Sequence, residues 1–451
     1  MSLTKGYSMS FRNLGLSNEL LITIQKEGYS KATPVQERAI PLINKGMDIL
    51  AGAQTGTGKT AAFALPILNR LQQSNSMKRT VRALILTPTR ELAAQVNNSF
   101  RTYGIALPFK TIEIFGGVSM RPQKSKLKKG VDIVVATPGR LLDHLSQNTI
   151  DLSEVEVFVL DEADRMLDMG FKKDIEKVIK QLPEKRQNLL FSATFPKEIQ
   201  KLASRLLNSP KKIQVASENS TAEKVKQTVY PVDQSRKREL LIHSIKENNW
   251  FQVLVFIKTK RAADKLTRQL NKKRILSDTI HGNKTQAARS KALENFKKGK
   301  VQVLVATDVA ARGIDIDLLP VVINFNLPMV AEDYIHRIGR TARAGKEGEA
   351  ISLVCADEFN LLSDIERLLK FRIPREEIEG FETTQHLNTT NLKQKNNQHK
   401  KSNHQKSKRR KRPDNKKPHW HKKGKSFKKK GNDKGHKKRN GPKKSKQSFN
   451  K

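Results

Sequence analysis

Short apolar runs alternate with helix-length amphipathic segments along the first 380 residues of this 451-residue chain. An apolar run without interrupting polar residues is typical of a parallel strand whose sheet is covered by helices on both faces. The segments between the runs carry apolar residues at helical spacing, so they are expected to form the covering helices. The pattern therefore predicts an α/β fold built on parallel sheets.

The alternation falls into two series, which predict two α/β domains at residues 1–208 and 222–380. Between them, the segment 209–221 turns polar and lacks periodicity from Ala216 onward, so it is the predicted linker. In the first series the predicted strands are 48–51, 81–87, 131–136, 155–160 and 188–191, and the predicted helices include 59–72, 90–103 and 171–181. In the second series the predicted strands are 251–257, 301–306, 320–325 and 349–354, and the predicted helices are 260–272, 284–298 and 357–371.

The positive charge of the chain is concentrated at its C-terminal end. The sequence has 87 Lys and Arg against 44 Asp and Glu, a net charge of +43, which argues for nucleic acid or an anionic membrane surface as a partner. Residues 391–451 hold 26 of the basic residues but two acidic and four large apolar side chains. Such a segment cannot bury enough apolar surface to fold. A disordered Lys-rich tail over 381–451 that binds polyanions is therefore predicted, with a purely solubilising tail as the alternative.

Cysteine content and hydropathy restrict the cellular setting. Cys355, the single cysteine, can form neither an intrachain disulfide nor a multi-cysteine zinc site, which favours a reducing compartment. The N-terminal segment lacks the apolar core of a secretory signal, and no apolar run approaches the ~18–20 residues of a membrane span. We therefore expect a cytoplasmic protein without membrane association.

The octapeptide AQTGTGKT at 53–60 lies between a predicted strand and a predicted helix, the context of a phosphate-binding loop. In such a loop the backbone of Thr55, Gly56, Thr57 and Gly58 approaches the phosphates of a nucleotide. Lys59 is expected to reach the β- and γ-phosphates, and the Thr60 hydroxyl to bind Mg²⁺. Ala53 replaces the usual first glycine, so a fortuitous glycine-rich turn is the alternative.

The tetrapeptide DEAD at 161–164 ends the apolar run VEVFVL. A carboxylate at the end of a strand, in a sheet that also holds a phosphate loop, is well placed for Mg²⁺. Asp161 is expected to hold the metal through water, and Glu162 to orient and deprotonate an attacking water. An acidic helix N-terminus stabilised by the helix dipole is the alternative.

With these motifs placed, the chain resembles a DEAD-box RNA helicase over about residues 11–371. The first domain contributes GYSKATPVQ at 28–36, PTRELA at 88–93, the pair Gly116-Gly117, TPGR at 137–140 and SAT at 192–194; the second contributes VFIKT at 255–259, HGN at 281–283, ATDVAARGID at 306–315 and HRIGRTAR at 336–343. The details DEADRMLDMGF and HGNKTQ are most similar to the bacterial RhlE type. The resemblance implies two tandem RecA-like domains, and Ala53 is within the pattern of the family.

The resemblance also implies how adenine is recognised. The amide of Gln36 can donate to one edge atom of the base and accept from its amino group, which selects ATP over GTP, and Phe11 or Tyr29 can cover the base. Without the motif, a surface glutamine and core aromatics are expected instead. By resemblance, Asp315 contacts the ribose.

Arg340 and Arg343 are three residues apart, so they are predicted to share a helix face. In the family they reach across the cleft to the γ-phosphate as arginine fingers, which can raise the rate by about 10³–10⁵. A solvated basic helix face is the alternative that spacing alone allows. Because only the first domain has a phosphate loop, the active site is expected to be complete only when the domains close.

RNA contacts are implied in both domains, chiefly to backbone and 2′-hydroxyl groups, so little sequence preference is expected. The residues implied are Pro88, Arg90, Gly117, Thr137, Gly139 and Arg140 in the first domain and Gly282, Thr307 and Arg312 in the second.

The implied function is that of an ATP-dependent RNA helicase in which ATP and RNA favour the same closed state and open short duplexes locally. Ribosome assembly, RNA decay and cold adaptation are compatible settings, so ribosomal particles and RNA-decay proteins are candidate partners. A DNA-directed ATPase is disfavoured by the DEAD, SAT and Q motifs. An idle RNA clamp or scaffold would be indicated by a broken Lys59, Glu162 or Arg343, and all three are intact. A clamp that hydrolyses slowly stays open alongside helicase activity.

Overall fold

The computed structural model describes residues 10–384, apart from 54–56, 74–78, 215–224, 312–315, 317–318 and 342–347. Backbone contacts divide the chain into residues 1–390 and 391–451. The second unit lies wholly outside the described residues, so the disorder of the tail stays a prediction. We refer to residues 10–214 as the N-terminal lobe and to residues 225–384 as the C-terminal lobe.

The N-terminal lobe is built on a seven-stranded parallel sheet. Its strands, numbered in chain order, are β1 (Ile49–Gly52), β2 (Ala83–Leu86), β3 (Thr111–Ile114), β4 (Ile133–Ala136), β5 (Val157–Leu160), β6 (Gln187–Ser192) and β7 (Lys211–Gln214). They are ordered β3-β4-β2-β5-β6-β1-β7 across the sheet. The central strands β2, β4, β5 and β6 are buried along their whole length, as their uninterrupted apolar sequences require.

Helices cover both faces of this sheet, and alternate strand residues feed two separate cores. The helices are α1 (Asn18–Lys26), α2 (Pro34–Asn44), α3 (Lys59–Gln73), α4 (Arg90–Tyr103), α5 (Arg121–Lys128), α6 (Pro138–Ser146), α7 (Ala163–Asp168), α8 (Lys172–Ile179) and α9 (Lys197–Leu206). Val159 packs with Phe63 of α3 and Phe100 of α4, whereas Phe158 packs with the core beneath α6, α8 and α9.

The C-terminal lobe repeats this plan on a six-stranded parallel sheet. Its strands are β8 (Lys226–Pro231), β9 (Val253–Phe256), β10 (Ser277–Ile280), β11 (Val303–Ala306), β12 (Val321–Asn324) and β13 (Glu349–Val354), in the order β10-β11-β9-β12-β13-β8. Its helices are α10 (Lys237–Glu247), α11 (Lys260–Lys272), α12 (Gln286–Lys297), α13 (Asp308–Ala311), α14 (Ala331–Ile338) and α15 (Phe359–Leu369).

Threonine caps set where three helices next to the functional motifs begin. The hydroxyl of Thr89 accepts a hydrogen bond from the backbone N–H of Leu92 at 3.2 Å, and Thr259 and Thr285 cap α11 and α12 in the same way. Each cap satisfies one of the free N–H groups of a helix start. The strand-to-helix turns at the start of PTRELA and at the end of VFIKT are therefore fixed by these caps.

The predicted α/β fold with two parallel sheets is confirmed, and α4 and α11 have the predicted bounds. The start of the predicted linker is wrong, because 211–214 form β7 and pair with β1. This strand lies at the sheet edge and buries only Ile213, so it lacks the apolar run that marks the central strands. The rest of the predicted linker, 215–221, lies outside the described residues.

No helix within the part of the chain that the structure describes is both long and apolar enough to cross a membrane.

Candidate active site

Three motifs meet at the carboxyl edge of the first sheet. The phosphate loop follows β1, the DEAD segment follows β5, and SAT ends β6, which lies between those two strands. Gly52 at the end of β1 is in register with Ser192 of β6. In parallel α/β sheets, ligands bind outside this edge, so the arrangement brings a nucleotide site together from segments more than 100 residues apart.

Two opposite charges are buried there without hydrogen-bond partners. The Nζ atom of Lys59, the first residue of α3, and the Oδ1 atom of Asp161 are both inaccessible and unbonded within the described residues. Burial raises the pKa of Asp161 to about 6, although the charge of Lys59 partly opposes the rise. Buried charges are normally paired or bound to a ligand, so both atoms indicate a charged ligand between the motifs.

The donors at this point suit Mg²⁺. The cation prefers oxygen ligands, keeps several of its waters, and is usually held by one or two carboxylates together with substrate phosphates. The orphaned Oδ1 atom of Asp161 is a ligand of that type, and Thr60 supplies a hydroxyl one residue after Lys59. The residues present therefore fit the metal that the sequence predicts.

Glu162 is held in an unusual backbone conformation. Its φ of 54° and ψ of 51° lie in the left-handed region, which costs a residue other than glycine on the order of 1–3 kcal/mol and is most often found at functional sites. Its Oε2 atom lies 3.5 Å from Nε of Arg165 but makes no hydrogen bond. The carboxylate is thus buried beside one cation, and its Oε2 atom has no hydrogen-bond partner within the described residues.

The last carboxylate of the DEAD segment is fully engaged by SAT. Oδ2 of Asp164 accepts hydrogen bonds from the backbone N–H of Ala193 at 3.1 Å and from the N–H and hydroxyl of Thr194 at 2.9 and 3.0 Å. The hydroxyl of Ser192 accepts from the N–H of Asp164 and donates to the carbonyl of Thr194. SAT is therefore bonded directly to the first turn of α7, the helix that follows Glu162.

Gln36 links the Q motif to the phosphate loop. It is buried; its Oε1 atom accepts from the N–H of Thr33 at 2.9 Å, and its Nε2 atom donates to the carbonyl of Gly58 at 3.1 Å. Gly58 has a φ of +88°, and a Cβ atom there would lie 2.3 Å from that Nε2 atom, so only glycine fits. The surface glutamine considered as the alternative is excluded.

The two aromatic candidates have different environments. Phe11 is buried in the apolar core and meets the ring of Tyr29 edge to face, with 6.3 Å between ring centroids. Tyr29 is 37% exposed and its hydroxyl lies 3.0 Å from that of Tyr103. Of the two rings, Tyr29 is the one with surface free to cover a base.

Several predicted site residues lie outside the described part of the chain. They are Thr55 and Gly56 of the phosphate loop, and Arg312, Asp315 and Arg343 of the C-terminal lobe. Their assigned roles stay predictions. Thr57 is described and is half-buried at the start of the turn into α3.

The prediction that Arg340 and Arg343 share a helix face is wrong, because α14 ends at Ile338. Gly339 ends the helix, and the chain then turns so that the carbonyl of Arg340 accepts from the N–H of Leu319 at 3.1 Å. Thr341 forms an isolated bridge with Leu319. Arg340 is buried and held by this tie to the loop before β12, so it is not on a solvated helix face.

The lobes contact each other beside Arg340. A pocket is lined by Arg165 of the N-terminal lobe and, from the C-terminal lobe, by Asp308, His336, Arg337 and Arg340. Arg337 is used inside its own lobe, since its guanidinium binds both oxygens of Asp308 at 2.6 and 2.7 Å. Arg340 therefore lies on the surface that faces the DEAD helix α7.

A second contact between the lobes involves PTRELA. Glu91 receives a hydrogen bond from Nε2 of Gln286 at 2.9 Å and an ion pair from Nη2 of Arg289 at 2.9 Å. Glu91 and Arg289 are almost completely buried. This contact joins the first turn of α4 to α12, which follows the HGN motif.

Among the predicted RNA residues of the N-terminal lobe, Arg90, Gly117 and Arg140 lie close together at the surface. Arg140 donates twice to the carbonyl of Val118, at 3.1 and 3.2 Å, while Arg90 approaches Gly117 from the other side. Gly117 has a φ of +73°, which favours glycine. Gly139 is exposed with open space around it, whereas Pro88 and Thr137 are buried below this surface.

In the C-terminal lobe, the predicted RNA residues that are described lie in loops at the ends of β10 and β11. Gly282 is exposed, and no atom lies within 4 Å of a Cβ built on it. Its neighbour Asn283 accepts a hydrogen bond from Nζ of Lys260 at 2.9 Å. Thr307 is half-buried and its N–H bonds to the carbonyl of Ile280. The extended backbone of a nucleic acid strand therefore has access to both loops.

Comparison with known proteins identifies the family. The DEAD/DEAH box helicase model matches residues 33–202, and the helicase conserved C-terminal domain model matches residues 236–345. The DEAD-box ATP-dependent RNA helicase RhpA of Helicobacter pylori is 42% identical over 380 residues, which cover 84% of this chain and 76% of RhpA. This chain belongs to the DEAD-box family of ATP-dependent RNA helicases. Its resemblance to the RhlE type in particular stays a prediction.

Solved DEAD-box structures have the same two-lobed fold. Mss116p bound to single-stranded RNA and AMP-PNP is 31% identical with a TM-score of 0.76, and the match covers 84% of this chain and 81% of Mss116p. Dbp5 of S. cerevisiae bound to RNA and ADP–BeF₃ is 31% identical with a TM-score of 0.73, covering 82% and 95% of the two chains. The two parallel sheets are therefore RecA-like domains of the DEAD-box type.

Sequence reasoning missed several residues that organise this DEAD-box site. Asp164 was not singled out, although it anchors SAT, and Arg165 was not expected to face the second lobe. Arg337 and Asp308 lay inside recognised motifs without an assigned role. Glu91 lay inside PTRELA without an assigned role, and its pairing with Arg289, 198 residues away, had no signal in the sequence.

Proposed function

We propose that this DEAD-box helicase uses ATP hydrolysis to open short RNA duplexes locally, or to remodel RNA–protein particles, without long translocation. The observation that carries the proposal is the division of the site between the lobes. The N-terminal lobe holds the buried, unbonded atoms of Lys59, Asp161 and Glu162, and Arg340 of the C-terminal lobe lines a pocket with Arg165. Turnover in such a site depends on how the lobes meet.

The roles of the residues follow from their chemistry. Lys59 neutralises the β- and γ-phosphates, while Asp161 and Thr60 hold Mg²⁺, which supplies further neutralisation of phosphate charge when bound. Glu162 orients a water molecule and accepts its proton. Arg340 and Arg343 stabilise the negative charge that develops as the phosphoryl group is transferred.

Adenine selection is assigned to Gln36 and Tyr29, with Asp315 on the ribose. In the structure both hydrogen-bonding ends of the Gln36 amide are used within the protein. Each end keeps a further hydrogen-bonding position, since the NH₂ group has two donors and the carbonyl oxygen accepts two bonds, so Gln36 can bind adenine while it still contacts Gly58. Occupancy of the base site is in this way coupled to the conformation of the phosphate loop.

RNA is proposed to lie across both lobes, on the surface of Arg90, Gly117 and Arg140 and on the loops of Gly282 and Thr307. Contacts of this kind go to the backbone, so many RNA sequences are accepted. A cytoplasmic location, with ribosomal particles or RNA-decay proteins as partners, belongs to the same proposal.

The experiment is a comparison of ATP turnover and strand separation on matched nucleic acids. RNA should stimulate ATP hydrolysis, and DNA of the same sequence should stimulate it much less. A duplex of about one helical turn should be separated far faster than one of several turns, because opening is local. Glu162→Gln should still bind ATP and RNA but hydrolyse poorly. Equal stimulation by DNA, or equal rates on both duplex lengths, would contradict the proposal.

A further inference from the structure

Helix α11 presents a row of cations to solvent. Arg261, Lys265, Arg268 and Lys272, which we call the α11 stripe, are all exposed. Their spacing of four, three and four residues places them within about 60° of one another around the helix, with neighbours about 5–6 Å apart. The stripe is therefore one continuous positive surface about 16 Å long.

The stripe faces away from the core of its lobe. The buried residues of α11 are Ala263, Leu266, Thr267 and Leu270, which lie on the opposite side of the helix. Because that side packs onto the second sheet, the helix cannot rotate about its axis to bury the stripe. Its exposure is thus fixed by the amphipathic sequence of the helix.

The four cations have no acidic partner within the chain as described. Asp264 is the single acid between residues 255 and 275, and it is already used by Nε2 of His281 at 3.0 Å and by Nζ of Lys284 at 3.3 Å. Some exposed cations on or next to other helices do have such partners, as Lys298 has Glu294 and Arg367 has Asp364. The stripe therefore carries a net charge that no neighbouring group balances.

The stripe begins at the loops assigned to RNA. Thr259, the last residue of VFIKT, caps α11, and Lys260 bonds to Asn283 beside the exposed Gly282. Asp264 ties the first turns of the helix to His281 of HGN. A polyanion that crosses these loops therefore meets the stripe next.

The chemistry of the stripe favours nucleic acid over a protein partner. Protein interfaces are depleted in lysine and are centred on apolar or aromatic anchors. None of the exposed large apolar side chains recorded for the described residues lies on α11. A row of like charges on long, flexible stems suits a regular phosphate backbone, where each contact releases a counterion.

We propose that the α11 stripe is a second RNA-binding surface, which holds the phosphate backbone of RNA that extends beyond the strand bound between the lobes. This inference rests on the proposed function, because it takes RNA to be the substrate of the cleft. It adds a site that recognises only backbone charge and that favours substrates with a flanking duplex or single strand.

The test neutralises the stripe in the full-length chain. Arg261→Gln, Lys265→Gln, Arg268→Gln and Lys272→Gln are combined, since glutamine keeps helix propensity. The control combines Lys173→Gln, Lys177→Gln, Lys180→Gln and Lys185→Gln, which remove the same charge from a surface of the N-terminal lobe that also carries acids. Two RNAs are used: a short single strand that fills the cleft, and the same strand extended by a hairpin.

The stripe variant should bind the hairpin RNA about tenfold more weakly, and the slope of log affinity against log salt should fall by about 3–4. The short strand should stimulate its ATP hydrolysis as in the wild type, and the control should resemble the wild type on both RNAs. If the stripe variant and the control lose affinity for the hairpin RNA equally, the proposal is overturned. If the short strand does not stimulate ATP hydrolysis by the wild type, the proposed function is refuted instead.

A second measurement needs no variant. The wild-type chain is treated with an amine-acetylating reagent, with and without the hairpin RNA, and modification of individual lysines is read by peptide mass. Lys265 and Lys272 should be protected severalfold, and Lys173 and Lys177 should not. If all four lysines react equally with RNA bound, the stripe does not hold RNA, and an acidic protein becomes the candidate occupant.

Discussion

At the scale of residues, several buried groups of the site lack hydrogen-bond partners within the described residues, which raises the free energy of the ligand-free protein. Asp161 and Lys59 are buried and unbonded, and Glu162 has a left-handed backbone conformation. The left-handed backbone of Glu162 is strained, and the two buried charges are costly until a ligand supplies positive charge to Asp161 and negative charge to Lys59. Removal of the Asp161 charge should therefore stabilise the ligand-free fold while it abolishes activity.

Asp161→Asn tests this at the carboxylate whose pKa is raised to about 6. Above that pH the wild type bears the cost of a buried ionised group, on the order of 3 kcal/mol; as pH falls through about 6 the group gains a proton and the cost declines. Without nucleotide or metal, the variant should melt several degrees higher near neutral pH, and the difference should shrink toward pH 5. Thermal melts at both pH values measure this, and a difference that grows on acidification would contradict it.

Gln36→Ala tests the link between the Q motif and the phosphate loop. It removes the bonds to Thr33 and Gly58 together with the two proposed bonds to adenine, so ATP should bind about thirtyfold more weakly, at about 1 kcal/mol for each lost bond to the base. The preference for ATP over GTP should fall with it. Steady-state kinetics with both nucleotides give the ratio, and the melting temperature shows how much of the change is lost helix capping. A wild type that hydrolyses GTP and ATP equally would remove the role of Gln36.

Residue roles could be predicted where one contiguous motif carries the chemistry. The phosphate loop and the DEAD segment each place their reactive groups within a few residues of a strand end, so local pattern was sufficient to locate Lys59 and Asp161. The anchoring of SAT by Asp164, and the contact of Gln36 with Gly58, depend on packing between segments at least 22 residues apart. The spacing of residues within one motif does not indicate contacts between distant segments.

At the scale of elements, periodicity predicted the helices whose apolar face is strong and missed the elements with little to bury. Helix α11 has the predicted bounds because its apolar positions alternate cleanly with exposed cations. Strand β7 buries one side chain, so its sequence resembles a linker and was predicted to be one. The prediction for Arg340 assumed that the helix continues past Gly339. The chain instead turns there, and the carbonyl of Arg340 accepts a hydrogen bond from the N–H of Leu319.

The contact between α4 and α12 yields a prediction about communication between the lobes. Glu91→Arg or Arg289→Glu alone should place like charges together in a buried contact, which should lower RNA-stimulated turnover severalfold. The double variant Glu91→Arg with Arg289→Glu restores opposite charges and should recover part of the loss, with a coupling of about 1–3 kcal/mol.

The measurement is the maximal rate of ATP hydrolysis at saturating RNA for the four proteins of this cycle. Arg238→Glu is a matched control, because Arg238 is an exposed cation of the C-terminal lobe whose ion pair, among the described residues, is with its neighbour Glu239. Losses in the double variant that equal the sum of the single losses would show that the pair does not couple the lobes.

At the scale of the whole molecule, the distribution of charge separates catalysis from capture of RNA. Every residue assigned to ATP chemistry lies before position 371, whereas 26 basic residues lie in 391–451. A lysine on a flexible stem acts as a point charge and reads no base edge. The tail is therefore expected to raise the local concentration of RNA without changing the chemical step.

Deletion of residues 391–451 should weaken RNA binding and raise the RNA concentration that gives half-maximal stimulation. The dependence of affinity on salt should become flatter, because fewer counterions are released. Turnover at saturating RNA should change little. Titration of both proteins with duplex RNA at several salt concentrations checks this; an unchanged salt slope would show that the tail does not bind RNA, and lost saturated turnover would show an effect on the core.

The order of strands in the two sheets has a consequence for synthesis of the chain on the ribosome. In each sheet the first strand made pairs with the last: β1 with β7, and β8 with β13. Strand β8 therefore emerges more than 100 residues before its partner and exposes an unpaired edge, a template for misassociation. Pairings this distant in sequence form slowly, so shielding of each nascent lobe by chaperones, until its last strand has been made, should matter for the yield of this protein.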